Sequence, residues 1–212
     1  DNKPTDTTTI GEARTVLENA GWERGDDGIY ADKTGRLAFT ISTANTAELK
    51  ETAEALQRVW QTLGAEVTVE FFDLGALHQN IIRPREYDVL LFGQVVGRSG
   101  DLYPFWHSSQ RNDPGLNIAL YTNIAVDDIL SDIRTTLDVA TQDDLYASLD
   151  SEITADVPAV FLYAPHLLYA LPEWIKGVVP GPVDEASERF MNVYEWHTGT
   201  RTILTASPFL TY

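Results

Sequence analysis

The sequence predicts an α/β fold in which a parallel or mixed sheet is flanked by helices. Three observations carry this. Helical and strand periodicities alternate from Thr9 to Val96, the connections are a few residues long, and the third strand segment is an almost continuous apolar run. "TTIGEARTVLENAGW" opens with a capping-box pattern, Thr9 as N-cap and Glu12 three residues on. Ala13, Val16, Leu17 and Ala20 follow at helical spacing until Gly21. "ERGDDG" reads as a turn. "LAFTIST" sets Leu37, Phe39 and Ile41 against Ala38, Thr40 and Ser42, a strand with one face buried. Asn45 and Glu48 cap the next helix, whose stripe is Leu49, Ala53, Leu56, Trp60 and Leu63, ending at Gly64. "AEVTVEFF" alternates again and buries Val67, Val69 and Phe71. A short helix with Leu77 and Ile81 stops at Pro84, and "YDVLLFGQVV" (87–96) reads as a strand covered on both faces. Such alternation implies right-handed crossovers between parallel strands.

Beyond an irregular segment, "NIAVDDILSDIRTTLD" and "TQDDLYASLDSEITADV" predict two consecutive helices, the second capped by Thr141 and Asp144. "PAVFLYAP", "LLYAL" and "IKGVV" read as short strands separated by Pro165 and Pro172, and "FMNVYEWHTGTRTIL" as one more extended segment. With no repeat, low-complexity tract or clear linker, residues 1–212 are expected to form one domain. The tail 198–212 is expected to be a crossover or a flexible end.

Composition narrows the function. Fifteen basic residues, only four of them lysines, face 32 acidic ones, for a formal net charge of −17. A surface this acidic repels phosphate backbones and anionic headgroups, which argues against nucleic-acid and membrane-surface binding. The absence of cysteine excludes disulfides, thiolate metal sites and cysteine nucleophiles. No run of about 18 apolar residues is present to span a bilayer.

The segment Gly97–Tyr121, "GRSGDLYPFWHSSQRNDPGLNIALY", fits no single period. Loops leaving the carboxyl ends of strands in open α/β sheets are common ligand sites. Gly97 and Gly100 permit unusual torsions and close approach, with Arg98, Ser99 and Asp101 beside them. Tyr103, Phe105 and Trp106 offer apolar walls, and His107, Ser108, Ser109 and Asn117 offer polar groups, a mixture suited to an amphipathic organic ligand. Plainer roles compete: Phe105 and Trp106 as core anchors, Asp101 as a helix cap, Ser108 and Ser109 as turn residues, Arg98 as balance for local acidity.

Catalytic and metal signatures are thin. His78, His107, His166 and His197 share no metal-binding spacing, so no metal or other cofactor is expected. No GxSxG elbow, P-loop or GxGxxG is present, and a hydrolase built on His107 lacks a visible nucleophile–base pair. The acidic pairs at 26–27, 127–128 and 143–144 read as caps and solvated surface. The chain is not expected to be an enzyme.

Four ordered pieces, "ARTVLENAGWERGDDGIYADKTGRLAFTIST", "AEALQRVWQTLGAEVTVEFFD", "YDVLLFGQVVGRSGDLYPFWHSSQ" and "GLNIALYTNIAVDDILSDIRTTLDVATQDDLYASLDSEITADVPAVFLYAP", resemble family 5 extracellular solute-binding proteins, the peptide-binding components of ABC transporters. The resemblance covers about residues 10–195. It implies a single lobe, the more C-terminal one, of a two-lobed periplasmic-binding-protein-like (type II) fold that closes on its ligand by a hinge. It also implies extracytoplasmic location, periplasmic or at the cell surface, with a lipid anchor on the full-length protein. The implied partners are a small-molecule or peptide ligand, the missing N-terminal lobe and an ABC transporter permease. On this basis the expected ligand-binding residues are Gly97, Arg98, Ser99, Asp101, Tyr103, Trp106 and His107. One departure stands out: peptide binders of the family carry an acidic residue shortly before the Asp101 position, where this chain has Val95, Val96, Gly97 and Arg98. Arg98 favours a carboxylate, an amide or a sugar hydroxyl instead. A different class of function, an interaction or sensor module derived from such a lobe, would use the exposed aromatic face to dock another protein.

Overall fold

A computed structural model of the chain describes residues 7–179, 181, 183 and 185–199. These divide into two compact units: one contains residues up to Gln94 together with Leu102–Pro158, and the other contains Val95–Asp101 and the residues from Ala159 onward.

The first unit begins with helix α1 (Thr7–Asn19) and a small antiparallel sheet of β1 (Glu23–Arg24), β2 (Tyr30–Asp32) and β3 (Gly35–Arg36). Strand β4 (Ala38–Ala44), helix α2 (Ala47–Leu63), strand β5 (Glu66–Phe72), a short helix α3 (Leu74–Leu77) that continues as a π-turn over His78–Ile82, and strand β6 (Val89–Leu91) follow. The larger sheet is wholly parallel in the order β5-β4-β6, with Ile41 opposite both Val69 and Val89. The α/β prediction and the parallel sheet are therefore met.

Each sheet face has its own cover. Ile41, Val67 and Leu91 pack with Ala53 and Ala65, and Phe39, Leu56 and Trp60 close over them, so α2 lies on this face. Phe39 and Trp60 meet edge to face at 5.2 Å. On the other face Ala44 packs with Leu77 and Ile82. Helix α2 ends at Gly64, whose φ is 121°; a Cβ there would lie 2.8 Å from the Gly28 carbonyl, so glycine is required twice over. Two of the helix's terminal carbonyls are used by Arg14, which donates to Leu63 (3.3 Å) and Thr62 (2.6 Å).

Helices α4 (Tyr103–Trp106), α5 (Ile124–Thr135) and α6 (Val139–Asp156) complete the first unit, with Val126, Leu130, Ile133, Leu149 and Ile153 as their buried seam. The second unit holds an extended run and two 3-10 turns, Ala186–Phe190 and Val193–Glu195.

Several expected boundaries moved. Helix α1 starts at Thr7, so Thr9 lies inside it rather than at the cap. The N-cap of α2 is Thr46, not Asn45. The N-cap of α6 is Asp138, whose carboxylate takes both the amide (2.9 Å) and the hydroxyl (2.6 Å) of Thr141, so Thr141 is the capped residue and Asp144 lies within the helix. The strand expected over 87–96 spans Val89–Leu91 alone, because its partner β4 ends at Ala44, one residue past the Thr43–Leu91 pairing; Val95 and Val96 are exposed. The strands expected within 158–179 do not form among the described residues. Among the described residues that run has no neighbouring strand to ladder with, and its bridge from Lys176 to His197 is isolated. The expected single extended segment from Phe190 begins instead as 3-10 turns, and its part from Thr200 on lies outside the described residues.

Candidate functional site

The segment that leaves β6 passes through both units. In the second, Gly97 and Gly100 have φ of 76° and 62°, and a Cβ on Gly97 would meet nothing within 4 Å, so conformation rather than space calls for glycine there. Arg98 Nε donates to Glu188 Oε1 at 2.6 Å, and Ser99 Oγ accepts the Asp101 amide at 3.4 Å. Gly97, Arg98, Ser99 and Asp101 thus share one unit.

Tyr103, Trp106 and His107 share the other. Tyr103 stacks on the His107 ring with centroids 4.0 Å apart, and the Arg134 guanidinium lies 3.8 Å from the Tyr103 ring centroid. Trp106 packs against the α5–α6 seam and meets Tyr121 edge-on at 6.2 Å, as a core anchor would. His107 Nδ1 accepts the Ser109 amide at 3.1 Å, which leaves the proton of the neutral ring on Nε2. Asp127 Oδ1 lies 3.8 Å from that nitrogen, but its carboxylate receives the amide (2.7 Å) and the hydroxyl of Ser108. This geometry supplies no activated serine, since Ser108 is bonded to the acid and not to the imidazole.

Asn117 has a different task from the pocket-lining one its polarity suggested. It is fully buried. Its amide group donates to the carbonyls of Trp106 (3.2 Å), His107 (3.2 Å) and Tyr121 (3.0 Å), and its oxygen accepts the Tyr121 amide (3.1 Å). One side chain thereby ties together both ends of the 106–121 bend. The bend is clamped from below as well. Arg83 holds Asp113 through two nitrogens (3.1 and 2.8 Å), and Arg85 donates to the carbonyls of Arg111 (3.1 Å) and Gly115 (2.7 Å). Tyr87 donates to the Ile118 carbonyl, and a Cβ on Gly115 would collide with the Gln110 carbonyl oxygen at 2.1 Å. Sequence reasoning missed Gly115, Arg85, Asp127 and the true role of Asn117. Nothing local signalled that distant arginines would hold this bend.

Below the bend, Tyr121 donates to Asp156 at 2.6 Å and Asn123 does so at 2.9 Å. Burial, aided by the adjacent carboxylate, pushes the Tyr121 phenol up to about 12, and the bonds from Tyr121 and Asn123 hold the Asp156 carboxyl below its ordinary value. Among the described residues no group of three or more histidine and acidic side chains is placed to hold a metal ion.

The arrangement is a braced surface loop beyond a parallel sheet, with ring and guanidinium contacts but no assembled acid–base pair. Ring walls and guanidinium donors of this kind suit contact with a solute. The comparisons agree. The model of the bacterial extracellular solute-binding proteins, family 5 (middle region), matches residues 1–115, and the chain belongs to this family. Protein XP55 of Streptomyces lividans is 30% identical over 170 residues, which are 78% of this chain and 30% of that protein. The oligopeptide-binding protein AppA of Bacillus subtilis, solved with a nonapeptide, aligns with a TM-score of 0.75 and 26% identity over 88% of this chain and 36% of its own. NikZ of Campylobacter jejuni, solved with Ni(L-His), shares the fold with a TM-score of 0.70 and 21% identity over 88% of this chain and 38% of its own. The chain therefore spans about a third of the length of these relatives. No described helix is long and apolar enough to cross a membrane.

Proposed function

We propose that this chain is a ligand-binding lobe of the substrate-binding component of an ABC importer, acting outside the cytoplasm on peptides or similar small amphipathic solutes. The observation that carries this reading is the alignment with the nonapeptide-bound AppA over 88% of the chain. In this reading the whole chain folds as one lobe and the solute is held when a second lobe closes over it, removing water and adding contacts from the opposite side. A lipid anchor and a permease partner belong to the same proposal.

The segment 97–107 supplies this lobe's contacts. Arg98 offers guanidinium donors suited to a carboxylate or amide, and its Nε donates to Glu188 Oε1. In the first unit the stacked Tyr103 and His107 rings offer a flat wall and Trp106 fixes the loop that carries these rings; in the second, Gly97, Ser99 and Asp101 offer backbone and side-chain partners.

Calorimetric titration of a peptide panel tests the proposal. The protein with both lobes is expected to bind tightly, and residues 1–212 alone only in the millimolar range or not at all, because half of the contacts are missing. Micromolar binding to residues 1–212 alone would sink the two-lobe mechanism. Retention of full affinity after Arg98→Ala would remove that residue from the site.

A further inference from the structure

We propose that Arg134 of α5 is a specificity-determining residue of the solute site, selecting ligands that bear a carboxylate. The inference rests on the reading of residues 97–107 as this lobe's contact segment and adds a residue from outside it. The geometry of one ring points there. Tyr103 stacks on the His107 ring with centroids 4.0 Å apart and planes 22° from parallel. The central carbon of the Arg134 guanidinium lies 3.8 Å from the same Tyr103 centroid. Two groups this close to one ring centre would overlap if they shared a face, since non-bonded carbons in contact stand about 3.5–4.0 Å apart. They therefore lie on opposite faces, and Tyr103 is the middle layer of a three-layer stack within the first unit.

Neither face of the Tyr103 ring is then open to a ligand ring. Of the three layers Arg134 is exposed, whereas Tyr103 and His107 are half-buried. The layer that this stack turns to solvent is a guanidinium plane, not an aromatic ring. Local structure explains how it gets there. Ile133 is buried in the seam between α5 and α6, Tyr103 packs partly against that seam, and the last turn of α5 carries the next residue over the ring. The charge is also unusual for its surroundings. Arg134 is the sole lysine or arginine between Arg111 and Lys176, while Asp127 to Asp156 includes nine acidic residues. The α5–α6 layer thus places its whole complement of lysine and arginine charge on Tyr103.

The chemistry of that outer layer sets the ligand class. A guanidinium carries five donors in one plane, and a carboxylate takes two of them side by side. Its flat face also accepts peptide planes and rings, while its charge disfavours an ammonium group. A neutral tyrosine face in the same place would favour the opposite choice, since its π-cloud attracts cations. In the second unit Arg98 offers the same chemistry.

Two measurements test this. In residues 1–212 without ligand, NMR should show contacts between the Arg134 δ-methylene and the Tyr103 ring protons; their absence would overturn the stack itself. For binding, the tightest peptide of the calorimetric panel is made with Asp or Asn at each position in turn, and with its terminal carboxylate free or amidated. The complete protein should prefer at least one charged member over its neutral isostere by about fivefold or more. Arg134→Gln should cut that preference at least about threefold and Arg134→Lys should keep part of it, with the unfolding midpoint near that of wild type for both. Arg58→Gln, at an exposed position of α2, should keep all of it. No preference for a charged member, or one that survives Arg134→Gln undiminished, would overturn the proposal and leave the importer reading standing. Failure of every panel peptide to bind the complete protein would instead overturn the importer reading, and this assignment with it.

Discussion

The two units of this chain use apolar residues in opposite ways. All three hydrophobic clusters, and every residue that is buried among those described, belong to the first unit. The second carries sequence just as apolar, but Phe161 is 73% exposed, Leu168 92% and Trp174 59%. The difference lies in the backbone. In the first unit each apolar strand finds a ladder partner, as β4 does on both sides, and its side chains then meet a helix. In the second the apolar run 159–171 finds no partner strand among the described residues, and most of its side chains are exposed. Hydrophobicity selects burial only where the backbone polar groups are also satisfied.

The largest expected effect breaks or confirms this contrast. Leu130→Ala or Ile41→Ala removes a side chain at most 1% exposed and should cost about 2–5 kcal/mol in urea unfolding, whereas Leu168→Ala should stay within about 0.5 kcal/mol. The same experiment tests whether the chain unfolds as one domain, as we propose. The second unit has no buried residue of its own among those described, so as one domain it would unfold together with the first. With Trp22, Trp60 and Trp106 replaced by Phe, so that Trp174 and Trp196 alone report on the second unit, Leu130→Ala should lower the fluorescence midpoint together with that seen by far-UV circular dichroism. Two separated midpoints would show that the units unfold independently.

Asn117→Ala comes next. It frees the carbonyls of Trp106, His107 and Tyr121 inside the structure, at a cost of about 1–3 kcal/mol. If the bend is a braced platform, peptide affinity should fall along with stability. Unchanged affinity would mean that the contacts come from elsewhere.

What was legible in the sequence follows the same divide. Ile41, Ala53, Val67 and Leu77 declared themselves by period, because one face of a strand or helix was to be buried locally. Gly64, Gly97 and Gly100 were legible as special backbone positions, and all three have positive φ. The bracing of the bend was not legible. Arg83 reaches Asp113 across 30 residues and Tyr87 reaches Ile118 across 31, contacts that no local pattern encodes. The strand reading of 158–179 failed for the complementary reason: β-propensity marks a segment able to pair and says nothing about whether a partner exists.

A smaller effect appears at the extremes of pH. The Tyr121–Asp156 pair anchors the first unit. Hydrogen bonds from Tyr121 and Asn123 lower the Asp156 carboxyl below its ordinary 3.8. Its contribution to stability is thus fully present above that value and lost as pH falls through the lower folded-state value. Tyr121 runs the other way. Its contribution is complete below pH 10.0 and is lost as pH rises toward about 12, since the unfolded phenol ionises first. Urea midpoints of Asp156→Asn should therefore vary less with pH than wild type in the acid range. Parallel acid-range curves would remove this pair from the account, leaving Asp27, Asp32, Asp113 and Asp138, which are lowered by local bonds of their own.

The smallest effect concerns the second unit's Arg98–Glu188 pair, and there stability and function should part company. Arg98 has 53% of its side chain exposed, so solvent screens the pair from the arginine side even though Glu188 is 17% exposed, and such an ion pair contributes about 0–1 kcal/mol. Arg98→Ala and Glu188→Gln should each leave the unfolding midpoint nearly unchanged. Their effects on a carboxylate-bearing ligand should have opposite signs. Removing Arg98 deletes a donor and weakens binding, while neutralising Glu188 removes a competitor for that donor and tightens it. Measured in the complete protein by calorimetry, a gain from Glu188→Gln that disappears in the double variant with Arg98→Ala would assign the gain to the arginine. Additive effects of the two changes would instead place Arg98 and the ligand carboxylate in separate interactions.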